Sequence, residues 1–262
     1  MITPLFVAFP DSGWRGHVRA TWNYLQQHYE ITDNKDCGTH VHVSVEGGYT
    51  LEELKRIASA VLHFEPAFEA LVPEHRREDC EYARSSWIDS REFAPKGLSR
   101  AQSILVISDV ADFHLFLGLM HPYSQRGYAW NFRSIGKYYT IEFRKPPASK
   151  TASEALGWAE FAMSFVQTSI RHGSPELLKL VPPTVGGLRW FLGQNHNVPG
   201  FNESEKLAWI WDGKDPNEFL EGKPFANAET AAQMATTKRM MAADKRHILR
   251  LIATKREPYW QD

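Results

Sequence analysis

The chain of 262 residues has little cysteine, no long apolar run and almost no net charge. Its two cysteines, Cys37 and Cys80, are too few for a disulfide framework, and we expect both to be unpaired and neither to be a nucleophile. No apolar run is long enough to span a bilayer, and residues 1–9 do not have the pattern of a signal peptide. A net charge of −1 gives no basis for binding nucleic acid or an anionic membrane. We therefore expect a cytoplasmic protein; the sequence does not indicate an oligomeric state.

The first chemical signal is a pair of histidines in the stretch 37–44. His40 and His42 alternate with β-branched residues, a pattern typical of a strand. Because successive strand residues point to opposite faces, both imidazoles should share one face while Val41 and Val43 face the core. Two imidazoles on one face can bind a metal, hold an anion or transfer a proton. Partly buried structural histidines would give the same pattern.

A second polar face is predicted near the middle of the chain. Strands are expected at 128–132 and 138–143, joined by a turn at 134–137. In the second of these strands, the side chains of Thr140, Glu142 and Arg144 should share one face, and Glu142 and Arg144 are the chemically informative pair. They indicate either an ion pair at the sheet surface or part of a functional site.

Apolar residues at helical spacing predict the remaining elements. The expected helices are 14–25, 51–68, 108–120, 151–172, 175–180, 184–192, 202–211 and 227–255. Thr50 and Glu53 have the spacing of a capping box at the start of the second helix. Glu65 lies on or beside its apolar stripe, and we expect a boundary carboxylate at the edge of the helix. A first strand is expected at 4–9. Strands early and helices late indicate the α+β class, with helices packed on one side of an antiparallel sheet.

We expect a single domain overall. Within it, residues 1–172 should form a catalytic core, and residues 173–262 a helical C-terminal extension packed on that core. No internal repeat or linker is evident in the sequence.

Five motifs in order resemble the amidoligases of the glutamine synthetase and glutamate–cysteine ligase superfamily, over about 5–172. They are Cys37-Gly38-Thr39-His40-Val41-His42-Val43, Phe64-Glu65-Pro66, Pro73-Glu74-His75-Arg76-Arg77, Arg126-Gly127-Tyr128-Ala129-Trp130-Asn131 and Thr140-Ile141-Glu142-Phe143-Arg144. Each motif is weak alone, but all five in this order are specific. The resemblance implies a curved antiparallel, glutamine-synthetase-like sheet that forms a trough for ATP, a divalent metal and a carboxylate substrate.

The resemblance also implies roles for particular residues. His40 and Glu142 match metal ligands, His42 matches a contact to nucleotide phosphate, and Arg144 matches an arginine that holds the substrate carboxylate or the transferred phosphoryl group. These four are the candidate catalytic residues. Further candidates for binding substrate or phosphate are Arg76, Arg77, Arg126, Tyr128, Asn131 and Glu65. Magnesium prefers oxygen ligands, and phosphoryl transfer needs positioned cations, so the residue types suit this chemistry.

The sequence departs from the family pattern near its start. The family has two early strands whose glutamates supply most of the metal ligands. This chain is expected to begin after the first of them, and residues 5–10, which match the second, contain no carboxylate. Glu142 is then the one family metal carboxylate at a matching position. Glu46, Glu65 and Glu81 are the candidate replacements.

Three hypotheses about function remain open. The first is an ATP-dependent ligase that forms an amide on a small-molecule carboxylate, with ATP and Mg²⁺ as cofactors. The second is an isomerase, cyclase or dehydratase that needs neither, with His40 or His42 as acid–base and Arg144 as oxyanion clamp. The third is a non-catalytic binding or regulatory protein, which the costly polar set of the two histidines, Glu142 and Arg144 disfavours.

Overall fold

The structure is a computed structural model that describes residues 2–8, 12–32, 36–77, 80–122, 127–195 and 207–222. Its helices are α1 (Trp14–His28), α2 (Leu51–Leu71), α3 (Arg100–Ser108), α4 (Phe113–Met120), α5 (Ile135–Tyr138), α6 (Ala152–His172), α7 (Pro175–Leu178), α8 (Val185–Leu192) and α9 (Ala208–Trp211). Its strands are β1 (Val41–Val43), β2 (Trp130–Asn131) and β3 (Ile141–Phe143). The α+β class is therefore confirmed.

The three strands form one small antiparallel sheet with the order β1-β3-β2. On β3, Glu142 lies opposite His42 of β1 on one side and opposite Asn131 of β2 on the other. Residues in register on neighbouring strands share a face, so this pairing alone brings an imidazole and an amide to the two sides of one carboxylate.

The opposite face of the sheet packs on two long helices. Phe143 and Trp130 stack on each other with ring centres 4.3 Å apart, and both contact Phe68 of α2. Phe161 and Phe165 of α6 complete the aromatic core beneath the sheet. Burial of each large apolar side chain contributes roughly 1.5–3 kcal/mol. The two long helices therefore pack on one side of the sheet, whereas the short helix α5 places Tyr138 on the other side, beside His42.

Helix α2 is the central helix of this core. It begins with the expected capping box, in which Thr50 Oγ1 accepts from the Glu53 amide and Glu53 Oε2 accepts from the Thr50 amide. Pro66 interrupts the helix and cannot donate to the carbonyl of Leu62, four residues earlier. Arg100 Nη1 donates to that carbonyl instead, at 2.8 Å, so the lost hydrogen bond is replaced from α3.

The described parts of the expected extension, 173–195 and 207–222, pack on α2 and α6. Phe191 of α8 lies 4.9 Å from Phe64 between ring centres, and Trp209 of α9 lies 5.5 Å from Trp158. The division of the chain at residue 172 stays a prediction. The expected helix 227–255 lies outside the described residues, as do residues 202–206 of the expected helix 202–211.

Three sequence predictions about local structure were wrong. Residues 2–8 form no strand: Leu5 and Val7 are exposed, and no strand in the described residues pairs with them. The expected helix 108–120 begins later, at Phe113, where Asp112 Oδ1 accepts from the Leu115 amide, and Ser108 is instead the last residue of α3, a helix that the sequence did not predict. Where a hairpin turn was expected at 134–137, the chain forms a 3₁₀ turn at Phe132–Ser134, and α5 follows it directly.

The cysteines and the hydropathy of the helices were also the subject of predictions. Both cysteines are free, as expected. None of the described helices combines the length and apolarity needed to cross a membrane.

A buried ion pair links the end of β3 to α2. Lys145 Nζ donates to Glu69 Oε1 at 2.5 Å and lies 3.4 Å from the Ala83 carbonyl. The lysine is 1% exposed. Burial raises the pKa of the Glu69 carboxyl, and the Lys145 ammonium opposes that shift. The second carboxyl oxygen, Oε2, has no hydrogen-bond partner in the described part of the chain.

Removal of the lysine alone should be strongly destabilising, because it leaves the Glu69 carboxyl buried and unpaired. We expect Lys145→Met to lower the free energy of unfolding by about 3–5 kcal/mol, measured by urea denaturation followed by circular dichroism. The double variant Lys145→Met/Glu69→Leu should recover most of this loss, since it removes both charges. An equal loss in the single and double variants would show that the ion pair does not account for the effect.

Candidate functional site

Glu142 is a buried carboxylate at the centre of the sheet, 5% exposed. Its Oε1 accepts from Arg144 Nη1 at 2.7 Å and from His40 Nδ1 at 3.1 Å. The same oxygen lies 3.6 Å from His42 Nε2. We call these four residues the Glu142 cluster. The prediction that they share one face of the sheet is confirmed, whereas the prediction that they line one cavity stays a prediction.

The other carboxyl oxygen of Glu142 is held by neutral donors. Asn131 Nδ2 donates to Oε2 at 2.7 Å, and Ser134 Oγ lies 3.2 Å from it. Asn131 Oδ1 in turn accepts from the Arg133 amide at 3.0 Å, which fixes the orientation of the side-chain amide. Both oxygens of the carboxylate are therefore occupied by protein donors.

These contacts determine the protonation of the carboxylate. Burial alone raises the pKa of Glu142, but the hydrogen bond from His40, the charge of Arg144 and the hydrogen bond from Asn131 together hold the pKa at about 2. Because an ionised carboxylate only accepts hydrogen bonds, Nδ1 of His40 carries the proton in their contact.

The pKa of the His42 imidazole is lowered by its surroundings. Burial lowers the pKa of His42 below its ordinary 6.5; Glu142 opposes this shift, while His40 and Arg144 add to it. The ring is therefore mostly neutral near pH 7. Its Nδ1 lies 2.8 Å from Thr140 Oγ1, and the ring remains partly exposed.

Arg144 connects the cluster to a neighbouring loop. Its Nη1 donates to Glu142, and its Nε donates to the Tyr82 carbonyl at 3.1 Å. Its remaining nitrogen, Nη2, has no hydrogen-bond partner in the described residues. A guanidinium held at two nitrogens, with the third unused, is suited to bind an anionic ligand.

Arg76 hydrogen-bonds to the backbone at Arg144. It is 1% exposed, and it donates to the carbonyls of Arg144 at 2.6 Å and Lys145 at 3.2 Å. A Cβ at Gly38, two residues before His40, would lie 2.9 Å from Arg76 Nη2. Glycine is therefore the residue that leaves room for this guanidinium. In the described structure, Arg76 holds backbone carbonyls together rather than projecting into the cluster.

Two other substrate-binding candidates are engaged away from the cluster. Arg77 Nε donates to the Val72 carbonyl at 2.7 Å, at the end of α2. Glu65 is buried and accepts from Ser85 Oγ at 2.7 Å, from the Ser86 amide and from Arg100 at 3.0 Å. The expected position of Glu65 at the edge of α2 is wrong, because these partners enclose its carboxylate.

The remaining candidates differ in their placement. Asn131 lies in the cluster. Tyr128 is buried, its hydroxyl 3.4 Å from the Asp89 carbonyl and its ring 5.5 Å from the Arg84 guanidinium. Arg126 lies outside the described residues.

Thr140, which was expected on this face, contacts the cluster through His42. The sequence did not identify two further residues beside the cluster, Ser134 and Tyr138. Ser134 lies in the expected turn and gave no signal, whereas Tyr138 shares the strand parity of Glu142 and could have been found. The ring centre of Tyr138 is 5.7 Å from that of His42.

The described donors do not fit a magnesium site. Magnesium requires oxygen ligands in octahedral geometry, whereas His40 offers a nitrogen and both oxygens of Glu142 are occupied by protein donors. No group of three or more His, Cys, Asp or Glu side chains in the described residues is arranged to hold a metal ion. Of the candidate replacements, Glu65 is enclosed elsewhere, and neither Glu46 nor Glu81 bonds to the cluster.

A family model described as putative amidoligase enzyme matches residues 7–166. The chain belongs to this amidoligase family. The match covers all three strands and every residue of the Glu142 cluster. No curated protein and no solved structure matches the chain.

Family membership suggests a ligase-type enzyme. An ionised carboxylate, a neutral imidazole and a guanidinium with one unused nitrogen can orient an anion and accept a proton. The Glu142 cluster lies within the matched segment and offers these groups.

The charges in the cluster should shift the pKa of His42 in opposite directions when they are removed. Glu142→Gln should lower the pKa of His42, because the carboxylate raises it; Arg144→Gln should raise it, because the guanidinium lowers it. The measurement is the pH titration of the imidazole resonances by NMR. His63, whose pKa is also lowered by burial but whose Nε2 lies 2.8 Å from the Val181 carbonyl, is the internal control and should not move. Shifts in the same direction in both variants would contradict the described charge arrangement.

Proposed function

We propose that this protein joins a small-molecule carboxylate to an amine, with the Glu142 cluster as its catalytic site. The observation that carries the proposal is Arg144: Glu142 and the Tyr82 carbonyl hold two of its nitrogens, and Nη2 is left to bind a substrate carboxylate. Membership of the amidoligase family supports the ligase class. A glutamine-synthetase-like trough for ATP is part of this proposal.

The chemistry takes place in two steps. An oxygen of the substrate carboxylate attacks the γ-phosphorus of ATP, and ADP leaves, giving an acyl phosphate. The amine nitrogen then attacks the acyl carbon, the C–O bond to phosphate breaks, and inorganic phosphate leaves. Arg144 holds the anion during both steps, and neutral His42 takes the proton that the attacking amine loses.

The proposal assigns no magnesium ligand to the cluster, because its carboxylate is already occupied. The low pKa of Glu142, caused by His40, Arg144 and Asn131 against the effect of burial, keeps this carboxylate ionised near neutral pH. Its role is to hold Arg144 and His40 in place.

The same observation favours a second candidate function. A carboxylate neutralised by a guanidinium, beside a neutral imidazole, is sufficient for acid–base catalysis without nucleotide or metal. In this case His42 moves a proton on the substrate and Arg144 stabilises a developing oxyanion, which gives an isomerase, cyclase or dehydratase.

One assay distinguishes the two functions. The purified full-length protein is incubated with ATP, a panel of small carboxylates and hydroxylamine, and both ADP and hydroxamate are measured, with and without chelator. For a ligase we expect ADP and hydroxamate in equal amounts, dependent on both the acid and the amine, and loss of both in chelator because ATP reacts as its magnesium complex.

Variants test the assigned residues in the same assay. Arg144→Gln should lower the rate by about 100-fold or more, as expected for loss of a donor that stabilises a transition-state anion. Arg19→Gln, which removes an exposed arginine on α1, is the matched control and should leave the rate unchanged. ATP-independent turnover that persists in chelator would reject the ligase and support the second function. Full ligase activity in Arg144→Gln would reject the assigned site.

A further inference from the structure

We propose that the carboxylate substrate carries an aromatic ring, which binds on Tyr138. This inference rests on the proposed function, since it takes the substrate carboxylate to be held by Arg144. Tyr138 is the last residue of α5 and is 51% exposed. Its ring is nearly perpendicular to that of His42, at 83° and 5.7 Å between centres. An exposed ring therefore lies directly beside the proposed catalytic imidazole.

Two neighbouring side chains contact the ring of Tyr138. Lys137 Nζ lies over it, 4.7 Å from the ring centre, and His42 packs against it. The Nδ1 of His42 in turn lies 2.8 Å from Thr140 Oγ1. An aromatic side chain with half its surface exposed can stack on a planar ligand.

The next residue supplies a second observation. Tyr139 has φ 59° and ψ 23°, and it is the one non-glycine residue in the described structure with positive φ. A bulky residue in this left-handed region is strained, and such strain tends to occur at functional sites. The sharp turn at Tyr139 ends α5 beside His42 and lets Thr140 enter β3 on the face of the cluster.

The order of contacts indicates the shape of the ligand. From Arg144 to Tyr138 the site runs through Glu142, 2.7 Å from Arg144, and then His42, 3.6 Å from Glu142. Arg144 and Tyr138 thus lie at the two ends of one series of contacts on the same face of the sheet. We therefore take the ligand to have its carboxylate on Arg144 and a ring, joined by a short chain, on Tyr138; Lys137 adds positive charge that favours an anionic ligand.

The test compares two acids of the same size. The dissociation constants of 3-phenylpropanoate and 3-cyclohexylpropanoate are measured by NMR titration of the full-length protein. We expect the aromatic acid to bind about fivefold more tightly, in line with the extra stabilisation of an aromatic pair. Tyr138→Leu should abolish this preference, and Tyr138→Phe should retain it because the ring is kept.

Matched variants separate this inference from the proposed function. Tyr24→Leu is the control, because Tyr24 is also exposed and also contacts a histidine, His28, but on α1. It should leave the preference unchanged. Equal binding of the two acids by the unmodified protein, or a preference that survives Tyr138→Leu, would overturn the aromatic class. If Arg144→Gln weakens both acids in either case, the proposed carboxylate site stands; if it weakens neither, that site fails as well.

Discussion

A buried carboxylate is stable only when its oxygens are hydrogen-bonded, and the rest of the site follows from how Glu142 meets this requirement. The carboxylate lies in the central strand of a three-stranded sheet, so its donors must come from both neighbouring strands and from its own. His40, the residue before β1, and Asn131 of β2 supply two of them, and Arg144 contributes from the end of β3. Arg144, the group proposed to bind the substrate anion, is therefore also a donor that the carboxylate needs for its own stability.

The arginine is also fixed by the backbone around it. Arg144 and Lys145 follow β3, and their side chains reach the carbonyls of Tyr82 and Ala83, which are likewise consecutive. Arg76 meanwhile holds the carbonyls of Arg144 and Lys145 from inside the protein. Two pairs of carbonyls thus hold the end of β3 in a single position. Such preorganisation lets a guanidinium bind an anion without first becoming ordered.

Local patterns predicted part of this site from the sequence, and the remainder depends on long-range contacts. Strand parity placed His42 on one face of its strand and Glu142 with Arg144 on one face of theirs, because alternation needs only neighbouring residues. The motif match then related the two strands. The segment between β2 and β3 resembled a turn, so the contribution of Ser134 was not foreseen. The arginine motif indicated that Arg76 matters, but only the folded chain shows that its partners are carbonyls nearly seventy residues away.

The most direct test of the site is the ionisation of Glu142 itself. The ¹³C resonance of its side-chain carboxyl, assigned with the Glu142→Gln variant, is followed from about pH 7 to about pH 3.5. Although burial raises the pKa of this carboxyl, His40, Arg144 and Asn131 hold the pKa at about 2, so we expect no titration in this range. A midpoint near the ordinary 4.5 or above would show that these donors do not hold the carboxylate, and that it cannot be the centre of the site.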